Sequence, residues 1–187
     1  MVNNKIDDEK LLLAEYKVFT ESFWKNEEIG EKRVEFFITL TTAIVAGIVA
    51  LFTSSSKNLS EASVLKIATG ALSATFLFGL ITFFRILRRN RVTEEYKGIL
   101  NYLREQLKNK SKDLPEYELP FRSDKRLLKG GLAETVALMN SILVGAISAL
   151  WLGKGWGWLV IPVLFLLTFI LQVVVAKNDR KKAKDER

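Results

Sequence analysis

Residues 34–52 read VEFFITLTTAIVAGIVALF, an apolar run of nineteen residues whose only charge, Glu35, lies at its edge. As an α-helix this run spans roughly 28 Å, which matches the hydrocarbon thickness of a bilayer. Three further apolar runs of similar length follow, at residues 64–84, 132–152 and 156–176. The chain is therefore predicted to be an all-α, polytopic helical membrane protein with four transmembrane helices.

The composition supports a membrane protein and disfavours an enzyme. Hydrophobic residues make up 49% of the 187 residues and charged residues 26%, and the charges cluster between the apolar runs. The chain has no cysteine and no histidine, which excludes disulfides, the commonest zinc sites and imidazole catalysis. Since no phosphate-binding loop or nucleophile elbow is present either, we expect no catalytic residue, no metal and no cofactor.

The basic residues predict the orientation of the chain. All but three of the 28 lysines and arginines lie in residues 1–33, 85–131 or 177–187. Because Lys and Arg concentrate on the cytoplasmic side of membrane proteins, these three segments are expected in the cytoplasm, as are both termini. The remaining segments, 34–84 and 132–176, then form two transmembrane hairpins in the cytoplasmic (inner) membrane.

Two stripes of apolar residues recur at helical spacing outside the spans. They predict an amphipathic helix in residues 1–33, separated from the first span at Gly30, and a continuation of the second span into a basic cytoplasmic helix, followed by a loop up to residue 131. Residues 177–187 form a basic tail. The stripes either pack on each other or are docking faces for a partner or a neighbouring subunit. The first consists of Leu12, Tyr16, Phe19 and Phe23, and the second of Val92, Tyr96, Ile99, Leu103 and Leu107; all but Val92 are the candidate docking residues.

Small and hydroxyl-bearing residues fall on one face of each of the first three spans. Such residues let helices approach closely in lipid, so these faces are either helix-packing seams or the lining of a pore in an oligomer. The fourth span lacks such a face and is expected to contact lipid. The faces comprise Thr39, Thr42, Ala46, Ala50 and Thr53; Ala68, Ala71, Thr75, Gly79 and Thr82; and Ala137, Ser141, Gly145 and Ser148. The packing or pore-lining candidates are Thr39, Thr42, Thr75, Ser141 and the deeper Asn140.

Charged residues at the ends of the spans have their own interpretations. Glu35 and Glu134 lie in the first turn of a span, where the helix dipole and the interface stabilise a carboxylate, although an intramembrane acid also occurs in small exporters. A run of arginines follows the second span, and we interpret it as topology anchors that touch lipid phosphates or a partner. Direct nucleic-acid binding is not expected, since no nucleic-acid-binding fold accompanies the run. The arginines are Arg85, Arg88, Arg89 and Arg91.

The order of segments carries a resemblance. EYKVFTESFWKNEEIGEKRVEFF (residues 15–37) leads into a span, a short loop, a second span and then RILRRNRVTEEYKGILNYLREQL (residues 85–107). This layout resembles small prokaryotic defence-associated transmembrane effectors, the two-span domains found beside nucleotide-signalling or short Argonaute immune modules. The resemblance covers roughly residues 11 to 107, concerns layout rather than a motif, and leaves the second hairpin as a departure.

The resemblance implies a function and a set of partners. The implied role is an oligomeric inner-membrane effector that permeabilises or depolarises the membrane, as a pore or ion channel, in an abortive-infection response. Its expected partners are the lipid bilayer, further copies of the chain and a cytoplasmic sensor or Argonaute-type complex. A non-conducting membrane anchor that recruits a soluble complex and a small exporter remain as alternatives.

Overall fold

The structure, a computed structural model, describes residues 3–54, 60–110, 131–152 and 157–185. Within these ranges every residue except Ser60 and Gly131 is α-helical. The chain forms four helices there: α1 (Asn3–Ser54), α2 (Glu61–Lys110), α3 (Leu132–Leu152) and α4 (Gly157–Asp185). Each is long and apolar enough to cross a membrane. The prediction of an all-helical chain with four membrane-spanning segments is confirmed at this level. The predicted loop after residue 110 and the connection between the spans of the second predicted hairpin, at residues 153–156, lie outside the described residues.

Helix α1 is longer than its apolar run requires. Its 52 residues extend over roughly 78 Å at 1.5 Å per residue, more than twice the thickness of a bilayer core. The predicted separation at Gly30 is not a break in the helix, because α1 passes through this residue. A single glycine costs a helix interior only about 1 kcal/mol, and the neighbouring Glu31, Lys32 and Arg33 are good helix formers. Gly30 has another role, described below.

The chain divides into two compact units. Unit 1 comprises Met1–Gly30 and Arg88–Lys129, and unit 2 comprises Glu31–Leu87 and Gly130–Arg187. Helix α2 runs unbroken from Glu61 to Lys110, so the expected continuation of the second span through the arginine run is present as a helix. Each unit therefore takes one portion of α1 and one of α2.

Unit 2 holds the apolar core. Helices α3 and α4 pack against each other, and α1 meets α2 where the rings of Phe37 and Phe78 lie with centroids 6.1 Å apart. Bulky side chains fill the centre of the unit, which is how a four-helix arrangement of this size excludes water. The largest fully buried apolar side chains there are Phe37, Phe83, Ile86, Leu143, Val64 and Val136.

Unit 1 is built from the polar portions of α1 and α2. The rings of Phe19 and Tyr96 lie with centroids 6.3 Å apart, and Leu103 is buried. The two apolar stripes therefore meet each other within this unit. The contact does not bury the stripes completely: Leu12, Tyr16, Phe23 and Leu107 are half-buried, and Ile99 is exposed.

Candidate functional site

A pair of amide side chains, Asn140 and Gln172, joins α3 to α4 inside unit 2. Asn140 is 0% exposed and Gln172 3%, and Nδ2 of Asn140 donates a hydrogen bond to Oε1 of Gln172 at 3.1 Å. Oδ1 of Asn140 and Nε2 of Gln172 have no hydrogen-bond partner. A polar group in an apolar interior is costly unless it is hydrogen-bonded, so this amide pair stabilises the α3–α4 contact by the single bond it makes.

The amide pair depends on a glycine of a third helix. A Cβ atom at Gly79 on α2 would overlap Oδ1 of Asn140 and would lie 2.7 Å from Cζ of Phe37 on α1. The missing side chain is what lets Asn140 approach the α2 backbone. Gly79 belonged to the predicted small-residue face of the second span, and its close contact shows that this face is used inside the chain.

The hydroxyls predicted on α2 and α3 are also internal. Thr75 is 2% exposed and Ser141 0%, and each donates to a carbonyl of its own helix, that of Ala71 and that of Ala137, at 2.8 Å. Ser and Thr commonly satisfy themselves in this way within apolar surroundings. These hydroxyls therefore do not line an open path through the single chain.

The predicted face on α1 has the opposite placement. All its members are exposed, namely Thr39, Thr42, Ala46, Ala50 and Thr53, and they are referred to below as the outer face of α1. Thr42 donates to the carbonyl of Ile38 at 2.9 Å. The buried threonine of this helix is Thr41, at 5% exposure, which the sequence pattern did not single out. Thus the small-residue face of α1 is not consumed by packing within the chain.

The four arginines after the second span separate into two groups. Arg85, Arg88 and Arg91 are exposed, as topology anchors or partner contacts would be. Arg89 is only 8% exposed, and its Nη2 lies 3.1 Å from Oε1 and 3.3 Å from Oε2 of Glu27 on α1. The guanidinium of Arg89 is therefore held inside unit 1 and is not presented to lipid or to a partner.

Glu27 is the centre of a small polar cluster. Besides Arg89, it accepts a hydrogen bond from Oγ1 of Thr93 at 2.9 Å, and the same Thr93 oxygen accepts one from Nδ2 of Asn26 at 2.9 Å. Nη1 of Arg89 also donates to the backbone carbonyl of Glu27 at 3.2 Å. We call Glu27, Arg89, Thr93 and Asn26 the ion-pair cluster. It ties α1 to α2 with charge-assisted bonds, which are stronger than neutral ones.

Gly30 provides the space for the guanidinium in this cluster. A Cβ atom at Gly30 would overlap Nη1 of Arg89 and would lie 2.5 Å from its Cζ. This close approach explains a glycine in the middle of an otherwise regular helix. The cluster was not predicted from the sequence, because no local pattern indicates which of the four arginines pairs with which distant glutamate. The available signal was Gly30 itself, an isolated glycine in a helical pattern.

The remaining acids give no sign of a metal or cofactor site. Within residues 3–54, 60–110, 131–152 and 157–185, no three acidic side chains gather closely enough to hold a metal ion. Glu35 is exposed on α1, one turn before Thr39.

The chain matches no protein-family model, no curated protein and no solved structure.

Proposed function

We propose that the chain is an oligomeric effector of the prokaryotic inner membrane, which permeabilises or depolarises that membrane when a cytoplasmic partner triggers it during an immune response. The observation that carries this proposal is the exposure of the outer face of α1. The small faces of α2 and α3 are used within the chain, and the equivalent face of α1 is left for another molecule.

A small, hydroxyl-bearing face favours association between helices in lipid. Helices associate there by close packing and hydrogen bonding, and small residues mark the surfaces where they do so. Leucine-rich surfaces such as that of α4 gain nothing comparable from association. We therefore assign the outer face of α1 to contact between copies of the chain, with Thr39 and Thr42 next to the axis of the assembly.

Conduction by such an assembly requires several copies. The centre of unit 2 is filled by side chains that include Phe37, Phe83 and Leu143, and a four-helix arrangement closed in this way has no aqueous path. A ring of copies with α1 innermost would place threonine hydroxyls around a central path. Hydroxyl groups can replace part of an ion's hydration shell there.

The orientation and the trigger side follow from charge. The distribution of Lys and Arg favours cytoplasmic termini and a cytoplasmic central segment, and it places two hairpins in the membrane. The portions of α1 and α2 in unit 1 are then the amphipathic cytoplasmic helices. They expose the large side chains of Leu11, Val18, Trp24 and Tyr102, each at 60% or more. Exposed apolar side chains on a polar unit favour contact with a protein partner, such as a nucleotide sensor or an Argonaute-type complex.

The same exposed side chains favour a second candidate, a non-conducting anchor that recruits a soluble complex. Ion flux discriminates the two candidates, because an anchor binds its partner without changing the membrane potential. Host cells that carry the chain with its genomic neighbours are challenged with phage, and a potential-sensitive dye is followed. The effector predicts depolarisation and cell death after the challenge. Unchanged potential and viability would refute the effector, and a stable partner complex under those conditions would support the anchor.

A pair of bulky substitutions tests the role of the outer face of α1. Ala46→Trp places a large ring on this face, and Val163→Trp places the same ring on α4, where Val163 is 57% exposed. We expect Ala46→Trp to abolish chemically cross-linked oligomers and depolarisation together, while Val163→Trp leaves both intact. Equal behaviour of the two variants would contradict assembly through α1.

A further inference from the structure

The ion-pair cluster differs from the pair that Lys97 and Glu94 form in the same unit. Lys97 and Glu94 also form a pair, at 3.0 Å, but both lie on α2 and are substantially exposed. Glu27 and Arg89 lie on different helices, and the exposure of their side chains is 27% and 7%. A contact of this kind holds two helices together, whereas the Lys97–Glu94 pair lies on the surface of a single helix and contributes little to stability.

The closed cluster is also incomplete. Nε of Arg89 is buried and has no hydrogen-bond partner. Opening the contact would let water reach this group, as well as the carboxylate of Glu27 and the remaining guanidinium nitrogens. Hydration on opening compensates much of the lost attraction, because a buried ion pair gains little over its separated, hydrated charges. The Glu27–Arg89 contact therefore has short, well-defined hydrogen bonds, and replacing it by contacts with water costs little free energy.

The cluster lies where a local opening can act on the spans. Gly30 precedes the buried Val34 on α1 by about one helical turn, and Arg89 follows the buried Leu87 on α2 by two residues. Both helices continue without a break from the cluster into their apolar runs. The cluster and the outer face of α1 therefore share one continuous helix, α1.

We propose that Glu27, Arg89 and Gly30 form a latch that keeps the effector closed, and that the trigger acts by opening it. This inference rests on the proposed function and adds its regulation. The closed state is the one in which the guanidinium lies against Gly30. The open state has Glu27 and Arg89 hydrated and α1 released from α2 at this level. A partner needs only modest binding energy to shift a balance between two such states.

Vesicles of phosphatidylethanolamine and phosphatidylglycerol that contain the purified full chain test the latch without a trigger. Glu27→Gln removes the charge, and Gly30→Ala removes the space for Arg89 without changing any charge. We expect each to raise the unstimulated release of an encapsulated dye by about tenfold over the unsubstituted chain. Glu94→Gln, which removes a carboxylate from an exposed pair, is the matched control and should leave dye release unchanged.

A reversible cross-link separates an opened latch from a damaged fold. Because the chain has no cysteine, Phe19→Cys and Tyr96→Cys introduce a unique pair at the α1–α2 contact of unit 1. A short bis-methanethiosulfonate reagent across this pair should return the Glu27→Gln chain to the low release of the unsubstituted chain, and a reductant should restore the leak. A leak that persists after cross-linking indicates a damaged fold and overturns the latch.

The outcomes also separate the latch from the function on which it rests. If triggered cells depolarise while Glu27→Gln and Gly30→Ala vesicles stay as tight as those of Glu94→Gln, the latch is refuted and the proposed function stands. If neither triggered cells nor any variant shows flux, the proposed function is refuted and the latch falls with it.

Discussion

Two polar contacts between helices, one in each unit, use the same geometry in different surroundings. In unit 1 the guanidinium of Arg89 on α2 lies against Gly30 on α1, and in unit 2 the amide of Asn140 on α3 lies against Gly79 on α2. The polar group comes close to a backbone because no Cβ stands in the way. The unit 1 contact is ionic and the unit 2 contact is neutral.

The difference follows from the solvent available to each unit. A charge that loses its partner in an apolar span has no water to replace it, whereas an amide in the same place carries a smaller penalty. An ion pair can exchange its partner for water where water is at hand. The amide pair is therefore a permanent part of the fold. The ion-pair cluster is suited to open and close, because water can replace its partner.

The strongest test of the unit 2 contact is Gly79→Ala. Its Cβ would overlap Oδ1 of Asn140 and crowd the ring of Phe37, so these two buried side chains or α2 itself must shift. We expect a loss of about 3 kcal/mol in unfolding free energy, from overpacking and the weakened amide contact. Titration with sodium dodecyl sulfate from dodecyl maltoside measures it.

Gly70→Ala is the control for that substitution. A Cβ at Gly70, on the same helix, meets no atom within 4 Å, and alanine is the better helix former by about 1 kcal/mol. Gly70→Ala should therefore be neutral or slightly stabilising. If Gly79→Ala were equally harmless, the close approach of Asn140 to α2 would not contribute to stability.

The corresponding test in unit 1 is Glu27→Ala. It leaves the buried guanidinium of Arg89 without its carboxylate, which costs roughly 3–5 kcal/mol when a pair is fully buried. Because 27% of the Glu27 side chain is exposed, water can reach the site, and we expect about 2 kcal/mol. Hydrogen exchange of the backbone amides of unit 1 measures this loss as faster exchange. Glu94→Ala, in the exposed pair with Lys97, should change exchange by less than about 0.5 kcal/mol.

A smaller effect is expected for the amide pair itself. Asn140→Ala leaves Gln172 buried without its hydrogen bond, at a cost of about 1.5 kcal/mol. Adding Gln172→Leu should recover part of this loss, since two apolar groups facing each other leave no polar atom unpaired. The detergent titration used for Gly79→Ala measures both variants. A double variant less stable than Asn140→Ala alone would show that Gln172 has other stabilising contacts.

The four spans could be predicted because lipid imposes a simple rule on the sequence. A helix that crosses it needs about twenty apolar residues, and the run at residues 132–152 coincides with α3, Leu132–Leu152. The other apolar runs lie inside longer helices. The ends of their polar extensions are harder to predict, because water places no comparable limit on the length of a helix. The break expected at Gly30 shows the limit, because a glycine that ends a helix and a glycine that receives a neighbouring side chain look alike in sequence.

The contents of the candidate sites were less predictable. Three small-residue faces are equivalent in sequence, yet the structure buries Thr75 and Ser141 and exposes Thr39 and Thr42. Which face is internal depends on how the helices are rotated against each other, and a periodic pattern does not contain that information. Gln172 was not among the predicted site residues, because its partner, Asn140, is on another helix.

The smallest effect is expected for a third polar contact. It tests whether the unfolding free energy lost on removing a polar contact depends on its exposure to solvent or on the unit that contains it. Nε1 of Trp151 on α3 donates to Oγ1 of Thr69 on α2 at 3.0 Å, within unit 2, and Trp151 is 60% exposed. Trp151→Phe keeps an aromatic ring and removes the donor. Because Thr69 is only half-buried and lies beside the exposed Trp151, water or headgroups can satisfy its oxygen, and we expect a loss of about 0.5 kcal/mol. If Trp151→Phe lost as much stability as Asn140→Ala in the same titration, the loss would depend on the unit that contains the contact. Exposure to solvent would then not explain the difference between the amide pair and the ion-pair cluster.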